Sequence, residues 1–124
     1  MTPDRLFILL GALSAFVGVA AGAFGAHALK TRLPVDLFDI FEVGVRYQMY
    51  HALGLLAIGL VISRQPSASL TVAGWMFVVG TIFFSGSLYV LSLTGIRWMG
   101  AITPLGGVAF LVGWVMLAYN VWKG

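Results

Sequence analysis

The sequence predicts an all-α membrane protein in which four transmembrane helices form a compact bundle. Two features of the composition lead to this fold class. Of the 124 residues, 60% are hydrophobic and only 9% are charged, and the mean hydropathy is +1.02. Seven basic and four acidic side chains cannot cover a soluble domain of this size, so lipid must surround much of its surface.

The length of the chain sets the number of spans. A transmembrane helix needs about 20 apolar residues to cross about 30 Å of hydrocarbon, and four such helices use nearly all of the chain. We therefore predict a single transmembrane domain. Thr2-Pro3 and Thr103-Pro104 are typical helix starts, and Gly95 is a typical helix end. The predicted spans cover residues 6–27, 47–63, 70–93 and 104–122.

The second span carries an amphipathic extension at its N-terminal end. Asp36 is the predicted N-cap, and the helical pattern then continues to about residue 63. A helix of that length is about 40 Å long, which exceeds the thickness of the hydrocarbon core. We therefore assign residues 37–46 to an interfacial helix, on which Glu42 and Arg46 lie along one polar stripe. Their i, i+4 spacing predicts an ion pair on the helix surface, and the alternative is an element of a gate or proton relay.

Several classes of protein are excluded by the charged and sulfur-containing residues. The basic residues are scattered, so no surface for nucleic acid is predicted. The chain contains no cysteine, which excludes disulfides and thiolate ligands. The first apolar run is long enough to be a retained span rather than a signal peptide. Basic residues at the two ends of the bundle are too evenly divided to set its orientation.

Small residues recur every four positions in the first span, which places them on one face of the helix. Such a face allows close approach of another backbone in lipid. We interpret it as a helix-packing seam that serves self-association or contact with another membrane protein. The seam consists of Ser14, Gly18, Gly22 and Ala26.

Four sequence blocks together resemble a known family. In this order and spacing they are similar to small bacterial inner-membrane proteins that also have eukaryotic relatives and are classed as a domain of unknown function. The resemblance extends over essentially the whole chain. It implies a multi-pass protein of the bacterial inner membrane, and it assigns no catalytic residue. The blocks are Gly22–Leu29, Tyr47–Leu53, Phe84–Tyr89 and Ile102–Gly107.

The most polar neighbourhood is predicted at the bilayer edge between the first two spans. His27 follows span one, and His51 lies about one turn into span two, so the two histidines are expected at similar depth. Histidines at such a site could bind haem or titrate near neutral pH. However, the sequence has no third histidine, and we predict no metal and no cofactor. The candidate polar site consists of His27, Glu42, Arg46, Tyr47, Gln48 and His51.

A second group of polar residues forms a hydroxyl stripe on the third span. Hydroxyl groups in membrane helices usually bond to backbone carbonyls or to neighbouring helices. The alternative is that they line a polar cavity. The stripe consists of Thr81, Ser85, Tyr89 and Ser92.

Three functional hypotheses follow from these observations. The first is a structural or accessory bundle that self-associates or joins a larger membrane complex, with lipid as its surroundings. The second is a small-solute transporter or channel with a polar site near His27 and His51. The third is a haem- or metal-binding redox protein. No motif for an enzyme is present, and we predict that the chain is not one.

Overall fold

The computed structural model describes all residues from 1 to 124 and contains no strand. The chain folds into four long helices, each apolar and long enough to cross a membrane. They begin and end within three residues of the predicted spans and their extension. We name them α1 (Pro3–Leu29), α2 (Val35–Arg64), α3 (Ala68–Thr94) and α4 (Thr103–Lys123). A short 3₁₀ turn, Arg97–Ala101, leads into α4.

The helix ends follow from local chemistry. The Ser67 hydroxyl accepts a hydrogen bond from the backbone N–H of Leu70 and caps α3. Gly95 ends the same helix with a positive φ of 75°, a conformation that glycine adopts without steric cost. The predicted cap at Asp36 is wrong. Helix α2 begins at Val35 with Pro34 as N-cap, and the Asp36 carboxylate pairs with Arg97 at 2.8 Å.

Each helix packs against the one that follows it in the chain, and glycines make the contacts close. Gly11 of α1 approaches α2 so closely that a β-carbon there would lie 2.7 Å from the carbonyl oxygen of Ala52. Gly80 and Gly106 play the same part between α3 and α4. The buried core runs through the middle of the bundle and consists of Phe7, Leu55, Ile58, Ile62, Leu70, Ala73, Phe77 and Phe110.

Large hydrophobic side chains cover the outside of the bundle. Most of α1 and α4 is not buried within the chain, and the outward residues include Phe16, Phe24, Leu111, Val115 and Trp122. An apolar surface of this extent is stable only in a nonpolar solvent. The fold is therefore that of a multi-pass membrane protein.

Helix α1 contains one irregular turn. Residues Ala21–Gly25 form a π-helix, in which the N–H of Ala26 donates to the carbonyl of Ala21, five residues earlier. Single π-turns inside α-helices occur often at functional sites. Here the turn lies beside the part of α2 that carries Glu42 and Arg46, since Gly22 lies against Val45 and Gly25 against Phe41.

Candidate functional site

His51 occupies the middle of α2 and is buried among aromatic residues of α3 and α4. Its ring stacks on Phe110, with ring centroids 3.4 Å apart and planes inclined by only 6°. Its Nδ1 lies 2.8 Å from the carbonyl oxygen of Tyr47, and the indole N–H of Trp114 donates to its Nε2 at 3.0 Å. Both ring nitrogens therefore have a partner.

These partners determine the protonation state of His51. A carbonyl oxygen can only accept, so Nδ1 carries the proton, and an indole N–H can only donate, so Nε2 is unprotonated. The ring is consequently neutral, with neither nitrogen free. His51 offers no lone pair to haem iron or a metal ion, which removes the support for the redox hypothesis at this residue.

Gln48 forms a second polar centre on a different face of α2. Its Nε2 donates to the carbonyl oxygen of Ser14 on α1 at 2.9 Å, and its Oε1 accepts from the hydroxyl of Tyr89 on α3 at 2.5 Å. Only 6% of the residue is exposed. Gln48 thus joins three helices through one buried amide.

The structure does not bring the six residues of the predicted polar site together. Gln48 lies between α1 and α3, whereas His51 and Tyr47 line a cleft beside α4. His27 is exposed near the end of α1. Gly18 and Gly11 of α1 contact α2 on either side of His51, so His51 lies level with the part of α1 between these two glycines. His27 is about 18 Å from that level along α1, and the two histidines therefore lie at different depths.

The hydroxyl stripe on α3 forms hydrogen bonds within the protein at all four positions. Thr81 donates to the carbonyl oxygen of Phe77 at 2.8 Å, and Ser92 to that of Tyr89 at 3.1 Å. Ser85 reaches across to α2 and donates to the carbonyl oxygen of Gly44 at 2.7 Å. With the Tyr89 bond to Gln48, the stripe contributes two bonds that hold α3 against α2.

The small-residue seam of α1 is occupied by α2 along most of its length. A β-carbon at Gly18 would lie 2.5 Å from the sulfur of Met49, and one at Gly22 would lie 3.1 Å from Val45. Ser14 belongs to the same contact through its bond with Gln48. The seam therefore packs α1 against α2 of the same chain. At its outer end, Gly22 and Ala26 border a small notch of about 200 Å³.

Trp114 and Asn120 of α4 make polar contacts that were not predicted. Trp114 provides the donor for His51 from a position 63 residues away. Asn120, the only asparagine of the chain, is buried and bonds to Ser67, Ser69 and the carbonyl oxygen of Met116. A single amide in an otherwise apolar span was the signal that could have identified it.

Glu42 and Arg46 face outward from α2 and are exposed. The one ion pair of the chain joins Arg97 to Asp36. The predicted ion pair between Glu42 and Arg46 is therefore not formed, and neither charge has an ionic partner within the protein. Val45 lies against Gly22, which places Arg46 level with about residue 21 of α1. Whether Glu42 and Arg46 meet headgroups or hydrocarbon depends on the depth of this part of α1 in the bilayer.

The depth follows from the charge-free length of α1. No charged residue occurs between Arg5 and Lys30, a distance of about 37 Å along the helix. If Arg5 stays outside a hydrocarbon core of about 30 Å, the core reaches at least to about residue 25. The backbone of Arg46 then lies about 6 Å or more inside the core, with Glu42 near its edge.

Comparison with known proteins identifies the family. The family model described as "Protein of unknown function (DUF423)" matches residues 21–107. The chain belongs to this family. A UPF0382 membrane protein of Staphylococcus saprophyticus is 52% identical over 119 residues, which cover 96% of this chain and 98% of the relative. The UPF0382 membrane protein YwdK of Bacillus subtilis is 47% identical over 114 residues, covering 91% and 93%.

The relatives support the same coarse description as the fold. Their names identify them as membrane proteins, in agreement with the four membrane-length helices of this chain. The resemblance predicted from the four sequence blocks is confirmed, and the family carries no assigned activity. No solved structure matches the chain.

Proposed function

We propose that this protein is a non-enzymatic membrane bundle that self-associates through the outer face of α2. We define this face by four exposed residues, Glu42, Arg46, Tyr50 and Leu53. The observation that carries the proposal is that Glu42 and Arg46 are both exposed on α2 and have no ionic partner in the chain. Of the two, Arg46 lies inside the expected hydrocarbon core and Glu42 near its edge.

Charges in this position need a partner. Ionisable residues within a membrane are costly, and they usually face the interior of a bundle, line a water-filled cavity or pair with one another. Arg46 can extend its side chain towards the headgroups, yet its backbone remains inside the core. A second protein surface that supplies the opposite charge lowers the cost of both residues.

The charge pattern fits a second copy of the chain. Glu42 and Arg46 are opposite in sign and one helical turn apart, so the same face of another copy supplies a carboxylate for each guanidinium. A twofold interface brings identical surfaces together and uses each such pair twice. The notch beside Gly22 and Ala26 leaves room for side chains at the contact.

Cysteine cross-linking in membranes tests the proposal, because the natural chain contains no cysteine. Leu53 is 57% exposed and lies two turns beyond Arg46 on the same face. We expect Leu53→Cys to form a disulfide-linked dimer under mild oxidation. The matched control is Leu111→Cys on α4, which is 67% exposed and should remain monomeric.

Charge reversal then tests whether Glu42 of one copy attracts Arg46 of the other. Added to Leu53→Cys, Glu42→Arg should reduce the dimer by placing four arginines at the contact, and Glu42→Arg with Arg46→Glu should restore it. Equal cross-linking at positions 53 and 111 would contradict self-association through this face, and no response to charge reversal would contradict the pairing of Glu42 with Arg46. Cross-linking of Leu53→Cys only to a product of a different mass would instead indicate a larger complex with another membrane protein.

A further inference from the structure

A cleft on the membrane-facing side of the bundle lies between α1 and α3, with α2 as its floor. Its volume is about 300 Å³. Six of its nine lining residues are hydrophobic. Its three polar residues, Gln48, Ser14 and Thr81, lie towards one end together with Val17 and Ile82, and Leu10, Leu55 and Val78 lie towards the other. The cleft is therefore an apolar slot with its few polar groups at one end.

The polar end has unused hydrogen-bonding capacity. The Gln48 amide nitrogen has two protons, and only one is used, in the bond to the Ser14 carbonyl. The Tyr89 hydroxyl fixes the amide from its oxygen side. Thr81 already donates its proton to the carbonyl of Phe77. The second N–H of Gln48 is therefore the donor that remains for a molecule in the cleft.

The depth of Gln48 in the bilayer limits which kinds of molecule can accept this hydrogen bond. Gln48 is close to Gly18, about 16 to 24 Å from the ends of α1 and α2. Water is scarce in this part of a bilayer, and an unpaired N–H there costs free energy. A hydrocarbon chain has no acceptor, and charged headgroups stay at the surface. A lipid-soluble molecule that supplies the acceptor is therefore uncharged and resides near the midplane.

We infer that this cleft binds the ring of a lipid quinone, with one ring carbonyl accepting the second N–H of Gln48. A quinone is neutral, carries carbonyl oxygens on a flat apolar ring and dissolves in the hydrocarbon core. Its isoprenoid tail suits the apolar end formed by Leu10, Leu55 and Val78. The inference concerns binding alone and does not depend on self-association.

Side-chain NMR tests the contact directly, because the chain contains two glutamines, Gln48 and Gln65. Protein labelled with ¹⁵N-glutamine is placed in nanodiscs of synthetic phosphatidylcholine and titrated with decylubiquinone. We expect a Gln48 amide proton to move to higher frequency and to saturate. Gln65, at the end of α2, should not move, and decylbenzene, which has the tail without carbonyls, should move neither.

Two variants with exposed side chains locate the binding to this cleft. Leu13 is 54% exposed on its wall, and Leu13→Trp should weaken quinone binding about tenfold by filling the slot. Val108, 58% exposed in the cleft beside His51, is the matched position. Val108→Trp should leave binding unchanged.

The inference is overturned by any of three outcomes. These are a Gln48 amide that does not move with quinone, an equal movement of Gln65, and equal binding of quinone to Leu13→Trp and the unmodified protein. A Gln48 proton that exchanges with water and ignores quinone would indicate that a buried water molecule is the acceptor. Gln48→Leu should also abolish the saturable binding, as measured by isothermal titration.

Discussion

Polar side chains that face the bundle from α2 have partners within the chain, whereas the charged side chains on its outer face have none. On the inner face, His51 has a partner for each ring nitrogen, and Gln48 bonds to both neighbouring helices. On the outer face, Glu42 and Arg46 have no ionic partner in the chain. The comparison shows that the face of a membrane helix, more than the residue type, determines whether a polar side chain finds a partner within its own chain.

Replacing His51 gives the largest expected effect on this comparison. His51→Ala should lower the free energy of unfolding by about 3 kcal/mol, because it leaves the Trp114 N–H without an acceptor and opens a cavity beside Phe110. Reversible unfolding in mixed micelles measures the change. His27→Ala is the control, since His27 is exposed, and equal effects of the two would break the comparison.

Two glycines extend the comparison to the neighbouring helices. Gly11→Ala should destabilise the bundle by about 2 kcal/mol, because the new methyl group meets the Ala52 backbone and forces α1 from α2. Gly86→Ala should stabilise it by about 0.5 kcal/mol, since that site is open and alanine favours helix. The same unfolding assay measures both. Destabilisation by both variants would show that helix contacts do not explain the difference.

The smallest expected change in the free energy of unfolding comes from removing a single interhelical hydrogen bond. Tyr89→Phe removes the bond to Gln48 and keeps the ring against Phe41. We expect a loss of about 0.6 kcal/mol, the average for such bonds between membrane helices. Tyr119→Phe at the exposed end of α4 should have no measurable effect. A larger loss at Tyr119 would contradict the role given to the inner face.

The fold class was predictable because solvation by lipid is a property of the whole composition. Sixty per cent hydrophobic residues and long charge-free runs lead to four membrane helices whichever way each helix is rotated. The position of Asp36 was not predictable in the same way. Its competing partner, Arg97, is 61 residues away and reaches it only in the folded bundle.

The arrangement of the polar residues could not be predicted, because it depends on how each helix is rotated about its axis in the bundle, which no local sequence pattern determines. His51 and Gln48 are only three residues apart, yet one faces α4 and the other faces α1. The depth of His51 relative to His27 depended on the pairing of α1 with α2, which the glycine contacts establish. Spacing along one helix identified which residues share a face and could not identify what that face meets.

The π-turn in α1 has a consequence for the tolerated length of the helix. Residues Ala21–Gly25 accommodate one residue more than an α-helical turn would. Removal of one residue there can return the turn to α-helical geometry while Gly11 and Gly18 keep their places against α2. The segment is thus a position at which the polypeptide can lose a residue without shifting the rest of the hairpin.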